Sequence, residues 1–266
     1  MIRKLFIYGA RSQKSQSLIP ALEASAADAG IKIAKNPEDA DMAVCVGGDG
    51  TLLRMLREYG FPELPIAGIN TGHLGFFQEF SAGEADRIVG LLNEGGLSIQ
   101  RHRLIEASAQ TSGGERRFMA LNDIVVRRNA SGIVHLRLSV DGSTVEQFSG
   151  DGLVISSPAG STAYNYSVGG SIVDPRTELL QIAPIAPMNT ASYRSLSSGI
   201  IVPPGCDLVV APEGRYLGKA LIVADGNTNP VEDFEGLSVR LSEKAVNVVR
   251  RADYDFWGKV RDKFDL

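Results

Sequence analysis

Residues 45–51 read Cys-Val-Gly-Gly-Asp-Gly-Thr, closing the apolar run Met42 to Val46 and preceding the helix-like Leu52-Leu53-Arg54-Met55-Leu56. A carboxylate set among three glycines, where a strand hands over to a helix, suits the binding and reaction of phosphates. Glycine lets the backbone turn sharply and lets a large polyanion approach without a Cβ in the way. The free N–H groups at the start of the following helix face that anion. Asp49 itself repels phosphate unless a metal ion lies between them or it takes a proton from the attacking hydroxyl. Both roles belong to phosphoryl transfer. The competing reading is a purely structural turn, since many glycine-rich strand-to-helix turns bind nothing.

Neighbouring motifs fail on inspection. Gly48-Asp49-Gly50-Thr51-Leu52-Leu53 has Leu53 where a dinucleotide fingerprint needs its third glycine. Gly9 to Ser15 resembles a P-loop, but Gln13 stands where glycine must precede the lysine. No Gly-x-Ser-x-Gly elbow occurs, and Gly169-Gly170-Ser171-Ile172-Val173 misses by its last residue.

Outward from the loop, the first hundred residues alternate. Leu5–Tyr8, Ile31–Ala34, Met42–Val46 and Pro65–Ile69 read as strands. Ser17–Ala29, Thr51–Tyr59 and a capping-box helix from Ser81 to about Asn93 read as helices. Such alternation implies parallel crossovers and a covered sheet, with ligands beyond the carboxyl ends of the strands. After residue 100 the pattern turns to short strands at Ile105–Ala109, Arg117–Val126, Val134–Val140, Val145–Phe148 and Gly152–Ser156. More follow at Ser198–Val202, Asp207–Val210, Ala220–Ala224, Leu237–Leu241 and Ala245–Val249. Turn signals at Ser112-Gly113-Gly114, Ser131-Gly132 and Asp141-Gly142 separate several of them, so this half is largely antiparallel β. The expected division is an α/β domain over 1–101 joined by the tail 250–266, and a β-rich domain over 102–249. In that tail Phe256, Trp257, Val260 and Phe264 recur at helical spacing, as core or subunit-interface residues would.

The chain has 266 residues, 44% apolar and 22% charged, which suits a globular protein with a real core. A net charge of −4 gives no general attraction to nucleic acid or to an anionic membrane, although a small anion remains possible. Cys45 and Cys206 lie far apart with no CxxC spacing, so both read as reduced thiols. Met1-Ile2-Arg3-Lys4 leads directly into a strand, and no run nears the ~18 apolar residues of a spanning helix. A cytoplasmic protein is expected.

A second cluster covers residues 151–170, Asp-Gly-Leu-Val-Ile-Ser-Ser-Pro-Ala-Gly-Ser-Thr-Ala-Tyr-Asn-Tyr-Ser-Val-Gly-Gly. A strand ends in Pro-Ala-Gly, and Ser161 or Thr162 is placed to cap a short helix. Asp151 can accept ribose or base donors, and Tyr164 offers a flat face for an aromatic ring. A capped helix with a core tyrosine is the bland alternative.

Together, Gly47-Gly48-Asp49-Gly50-Thr51, Asp151-Gly152 and Gly160-Ser161-Thr162-Ala163-Tyr164 resemble the paired signatures of the NAD kinase family. Gly72-His73-Leu74-Gly75-Phe76, Leu121-Asn122-Asp123, Gly169-Gly170 and Ala224-Asp225-Gly226 resemble it as well, in the family's order over nearly the whole chain. The pentapeptide alone is shared with diacylglycerol-type lipid kinases, and a relative of it with phosphofructokinases. The resemblance implies an N-terminal Rossmann-like α/β domain, a C-terminal β-sandwich-like domain and a homodimer or homotetramer. It implies ATP-dependent phosphorylation of the adenosine-ribose 2′-hydroxyl of NAD, with Mg²⁺ or another divalent cation accompanying ATP. Asp49 then matches the proton acceptor, Gly47, Gly48, Gly50 and Thr51 the donor-phosphate loop, and Arg54 a basic position after it. Asn122 and Asp123 match a pair holding the NAD ribose and adenine, and Phe76 an aromatic beside the adenine. Asp151, Ala159, Thr162, Ala163, Tyr164, Asn165, Tyr166 and Ser167 match the nucleotide-contacting segment. Ala186 and Asn227 match later contacts.

Three positions depart from the family's pattern. Asp123 replaces a glutamate and reaches about one methylene less. Ser149 stands where many members carry Arg or Lys, and Met188 where many carry His. No dedicated metal cage is evident, as expected when Mg²⁺ leans on substrate phosphates. His73 reads as a structural histidine in a glycine-rich turn. His102 and His135 read as strand-edge residues, and Asp225-Gly226 as a hairpin turn before a nicotinamide contact. A lipid or sugar kinase sharing the loop is the second enzyme reading, and a non-catalytic dinucleotide sensor is the third. Asp49 speaks against the sensor, because a pure binding site gains nothing from a carboxylate beside phosphate.

Overall fold

Met42 to Val46 offers no polar residue to point at water, so a strand built from it needs cover on both faces. The computed structural model describes residues 2–93, 95–128, 132–191, 194–213 and 218–265. They fall into two units, Met1–His102 with Ala245–Leu266, and Arg103–Lys244. In the first, strand Met42–Gly47 lies between Lys4–Gly9 and Pro65–Asn70, all parallel, and Ala43 to Val46 are fully buried. Lys32–Ala34 flanks Lys4–Gly9, and Asn247-Val248 pairs in parallel with Pro65-Ile66 on the other side. The chain reverses its progress across the sheet between Lys4–Gly9 and Met42–Gly47. The carboxyl ends of those two strands, Gly9 and Gly47, therefore flank a topological switch point, where open parallel sheets bind ligands.

The helices of this unit differ in detail from the sequence pattern. The 17–29 segment forms Ile19–Asp28, with Pro20 in its first turn, preceded by a short Gln13–Gln16 helix. Helix Asp49–Glu58 starts two residues earlier than its apolar spacing suggests, inside the glycine loop. The Ser81–Glu84 capping box forms, but it opens only a 3₁₀ turn, Ala82–Glu84, before helix Ile88–Asn93. Gly83 weakens that turn, and the Glu84 carboxylate is shared between Ser81 and Arg251. The tail forms helix Phe256–Phe264, with the rings of Phe256 and Phe264 at 5.9 and 6.4 Å from that of Phe76. Trp257 is half exposed.

The second unit is strand-rich. Ile200–Val202, Leu180–Ile185, Gly152–Ser156, Asp123–Arg128, Gly218–Ala224 and the start of Asn227–Arg251 pair antiparallel in that order. Ser143–Gly150, Val134–Val140, Leu208–Pro212 and residues 237–239 form a second antiparallel run. Alternation sorts their side chains. Ile124, Leu138, Phe148, Leu153, Leu208 and Ile222 share one interior, while Val125, Val154 and Ala183 turn to the opposite face under Val168. Asp141 and Gly142 both adopt left-handed backbone (φ 49° and 76°), the hairpin geometry their residue types favour. Of the Ser131-Gly132 turn, Ser131 lies outside the described residues.

Several expectations are corrected. Arg117–Val126 is two strands, Gly114–Ala120 and Asp123–Arg128. The chain leaves the ladder at Leu121-Asn122, where the peptide N–H groups go to the Asp225 carboxylate instead. Leu237–Leu241 and Ala245–Val249 belong to one 25-residue strand, Asn227–Arg251. His102 and His135 are buried, not at a wet strand edge. Among the described residues no helix is long and apolar enough to cross a membrane.

His102 is 5% exposed and stands edge-on to Phe77, with its Nε2 atom without a hydrogen-bond partner among the described residues. Burial, aided by Arg250, pushes its pKa down to about 3. The unfolded chain gains a proton below pH ~6.5 that the folded chain refuses, so folding loses roughly 1.4 kcal/mol per pH unit from there down to the folded value. His102→Leu should therefore lose less stability than the wild type between pH 7 and pH 4.5, measured as urea midpoints. Equal losses would show that His102 takes up its proton freely when folded.

Candidate active site

The glycines of the loop serve two different needs. A Cβ on Gly47 would lie 2.2 Å from Thr51 Oγ1, so packing alone demands glycine there. Gly48 and Gly50 are different: an added Cβ would meet nothing within 4 Å, and neither has left-handed backbone. No internal contact explains them, and the space beside both is open to a bulky group approaching the backbone. Thr51 and Leu52 donate their N–H groups to Gly48 O at 2.9 and 3.3 Å and so begin helix Asp49–Glu58.

Asp49 is its first residue. Its Oδ2 accepts the Phe76 N–H at 3.0 Å and its Oδ1 the Phe77 N–H at 3.1 Å. The carboxylate rests against Gly75, where a Cβ would fall 2.6 Å from Oδ1. Asn70, at the end of the adjacent strand, is in register with Gly47, which brings the Thr71–Phe77 loop beside the phosphate loop. Arg54, one turn on, donates to Tyr8 Oη at 2.8 Å, and Tyr8 donates to Glu58 at 2.5 Å. Phe76 is only 8% exposed, its ring turned into the tail helix. Cys45 is fully buried below the loop, and burial pushes its thiol up to about 12, so it stays protonated.

The strand-rich unit assembles a second group. The Asp225-Gly226 hairpin is left-handed at both residues (φ 47° and 76°), and the Asp225 carboxylate accepts the N–H groups of Leu121, Asn122 and Asp123 at 2.7, 2.7 and 3.3 Å. Asp123, buried beside it, has its carboxyl raised to about 7 by desolvation and by the Asp225 charge. Near neutral pH it is therefore a donor as often as an acceptor. The buried Asn122 Oδ1 finds no partner among the described residues. Gly160 packs directly on the Asn122 peptide, since a Cβ would lie 2.0 Å from Asn122 O, and Ser157 donates its N–H to that same oxygen at 3.0 Å. Asn122, Asp123 and the Ala159–Thr162 turn are thereby brought together.

Neither Ser161 nor Thr162 caps helix Tyr164–Ser167, whose N-cap Ala163 makes no side-chain bond. Ser161 is instead fully buried and accepts the Val173 N–H at 3.0 Å. Asn165, also fully buried, donates to Ser161 O and Ser171 O and holds the turn from within. Tyr164 and Tyr166 remain 39% and 40% exposed. Ser149, Asp151 and Ala186 form a separate group at the other end of strand Gly152–Ser156. Asp151 donates its N–H to Ile185 O at 3.0 Å, and Ser149 O accepts the Met188 N–H at 2.7 Å. Ser149 Oγ lies 2.9 Å from His135 Nδ1, and Ala186 takes left-handed backbone (φ 43°). Asn227 is exposed just beyond the Asp225 hairpin.

Sequence reasoning missed three residues around Asp49. Gln78 is buried with neither amide atom partnered, and Lys259 and Lys263 bond the loop carbonyls Gln78 O and Leu74 O. Lysines four apart in the tail were visible as one helix face, but nothing in the sequence names their target. The glycines yield a direct test. Gly47→Ala should lower the melting temperature by several degrees, whereas Gly48→Ala and Gly50→Ala should melt like the wild type yet lose at least tenfold in kcat/KM for the phosphate donor. Equal activity in the latter two would leave the open space without a ligand.

Residues 13–97 match the family model for the ATP-NAD kinase N-terminal domain, and residues 121–251 that for the ATP-NAD kinase C-terminal domain. NAD kinase from Finegoldia magna is 32% identical over 231 residues, 85% of either chain. NAD kinase 1 of Bacillus anthracis is 31% identical over 265 residues, 98% of either chain. Among solved structures, an Archaeoglobus fulgidus NAD kinase in complex with ATP superposes with a TM-score of 0.75 at 26% identity, covering 97% of this chain and 98% of that one. Yeast NADH kinase complexed with NADH gives 0.85 at 19% identity over 100% of this chain and 88% of that one, a likeness of fold. Two matching domain models and relatives aligned nearly end to end place this chain in the NAD kinase family.

Proposed function

We propose that this chain transfers the terminal phosphoryl group of ATP to the 2′-hydroxyl of the adenosine ribose of NAD, giving NADP and ADP. The observation that carries the mechanism is Asp49, fixed by two peptide N–H groups at the head of a helix whose Gly48 and Gly50 leave room for phosphate. A ribose hydroxyl is a weak nucleophile at neutral pH, and a carboxylate within ~3 Å accepts its proton as the bond to phosphorus forms, for roughly 10²–10⁴-fold in rate. The Gly48–Thr51 backbone receives the donor phosphates. The Asn122 amide and the Asp123 carboxyl bind the NAD ribose and adenine, with Tyr164 and Tyr166 offering exposed rings. Asp151, Ala186 and Asn227 make the outlying contacts.

A divalent cation such as Mg²⁺, accompanying ATP, would supply charge neutralisation at the donor phosphates beside the Gly48–Thr51 backbone. Among the described residues no three His, Cys, Asp or Glu side chains converge on one point. A cytoplasmic homo-oligomer, dimer or tetramer, is the assembly we assign by family membership. A lipid or sugar kinase and a silent dinucleotide sensor are disfavoured by the match of both domain models.

Incubation with ATP, Mg²⁺ and NAD should yield NADP, while sphingoid and diacylglycerol controls stay unphosphorylated. Asp49→Asn should cut kcat by at least 10³-fold with NAD affinity, measured by calorimetry, within threefold of the wild type. Near-normal turnover would remove Asp49 as the base. Asp123 gives a pH signature of opposite sign to that of His102. Its raised folded pKa means that the stability it contributes is complete below pH ~4 and is lost as pH rises to about 7. Asp123→Asn should therefore melt above the wild type at pH 8, with the difference gone by pH 4. A difference independent of pH would place its ionisation outside this window.

A further inference from the structure

The carboxylate of Asp49 depends on the loop that follows strand Pro65–Asn70, whose start is held by the Gly72 N–H on Asn70 Oδ1 at 2.9 Å. Gly72 and Gly75 interrupt it, and among the described residues the bonds it supplies to Asp49 come from the peptide N–H groups of Phe76 and Phe77. The tail adds a bond on either side of those two peptides. Lys259 Nζ donates to Gln78 O at 2.6 Å, and Lys263 Nζ donates to Leu74 O at 2.5 Å. The lysines are four residues apart on helix Phe256–Phe264, and the carbonyls they hold are four residues apart on the loop. They bracket the two donating peptides. Between them, Phe256 and Phe264 of the same helix enclose the Phe76 ring.

The helix is itself anchored. Glu79, next to Gln78, accepts from Lys259 Nζ and from Arg250 Nη1, both at 3.2 Å, and Arg250 is almost fully buried with its guanidinium 4.1 Å from the Tyr254 ring centre. A charge-assisted bond from an ammonium to a main-chain carbonyl is stronger than a neutral one and resists displacement of the peptide it holds. We infer that Lys259 and Lys263 are positioning residues for the catalytic carboxylate: the tail helix locks the 74–78 peptides so that Phe76 and Phe77 aim Asp49. Neither lysine is assigned a contact with substrate. This inference rests on the kinase reading and on Asp49 as its base.

Lys259→Met should lower kcat about tenfold or more, since misplacing a reacting group by 1 Å costs up to ~10²-fold. KM for ATP, NAD affinity by calorimetry and far-ultraviolet circular dichroism should stay at wild-type values. Lys259→Arg, which keeps a donor at the carbonyl, should recover most of the rate. Lys263→Met, at an exposed position, should lower kcat by a smaller factor of about three and fold normally. Wild-type kcat in Lys259→Met, or a loss of NAD affinity equal to the loss of kcat, overturns the inference, as does failure of Lys259→Arg to restore turnover. Should Lys259→Met not fold, wild-type kcat in Lys263→Met overturns it and a selective kcat loss there upholds it. A wild-type protein that forms no NADP defeats the kinase reading itself, a different outcome from active lysine variants.

Discussion

Two peptide N–H groups holding one carboxylate are the constraint to which the α/β unit is built. Phe76 and Phe77 can reach Asp49 only because Gly75 carries no side chain and because strands Met42–Gly47 and Pro65–Asn70 lie in parallel register, ending side by side. The parallel sheet supplies the rigid floor, the switch point supplies the gap, and helix Asp49–Glu58 supplies the orientation. Removing any one of these leaves an acidic side chain on a loose loop, which water would solvate and a phosphate would repel.

The strand-rich unit uses the opposite device. There a carboxylate, Asp225, collects three main-chain donors, and burial together with the Asp225 charge raises the carboxyl of neighbouring Asp123 to about 7. Two acids of the same chemistry thus meet different surroundings, one supplied with three peptide donors and the other buried beside a like charge. With its carboxyl raised to about 7, Asp123 offers a proton as well as a lone pair.

The sequence was most legible where backbone chemistry is local. The apolar run Met42–Val46, the Asp141-Gly142 and Asp225-Gly226 hairpins and the glycine loop at 47–51 each carry their conformation in their own residues. It was least legible where a distant partner decides. Leu121-Asn122 leaves its ladder because Asp225 waits 103 residues on. The Ser81 capping box stops after one turn, and Ser161 turns inward to Val173 instead of capping a helix. Of the candidate site, the glycines, Asp49 and the Asn122-Asp123 pair stand out by motif. The burial of Asn165 and Phe76 was not, because a motif records residue types and says nothing of which side chains face inward. The lysines of the tail had no motif at all.

The chain contains a single tryptophan, Trp257, and it sits half exposed on the tail helix with its ring 5.1 Å from that of Phe256. Nature has thereby installed one optical probe in the element that touches the Phe76 ring. Its emission colour follows local wetting, so intrinsic fluorescence excited at the indole band gives a label-free view of that helix alone, uncontaminated by signal from the strand-rich half.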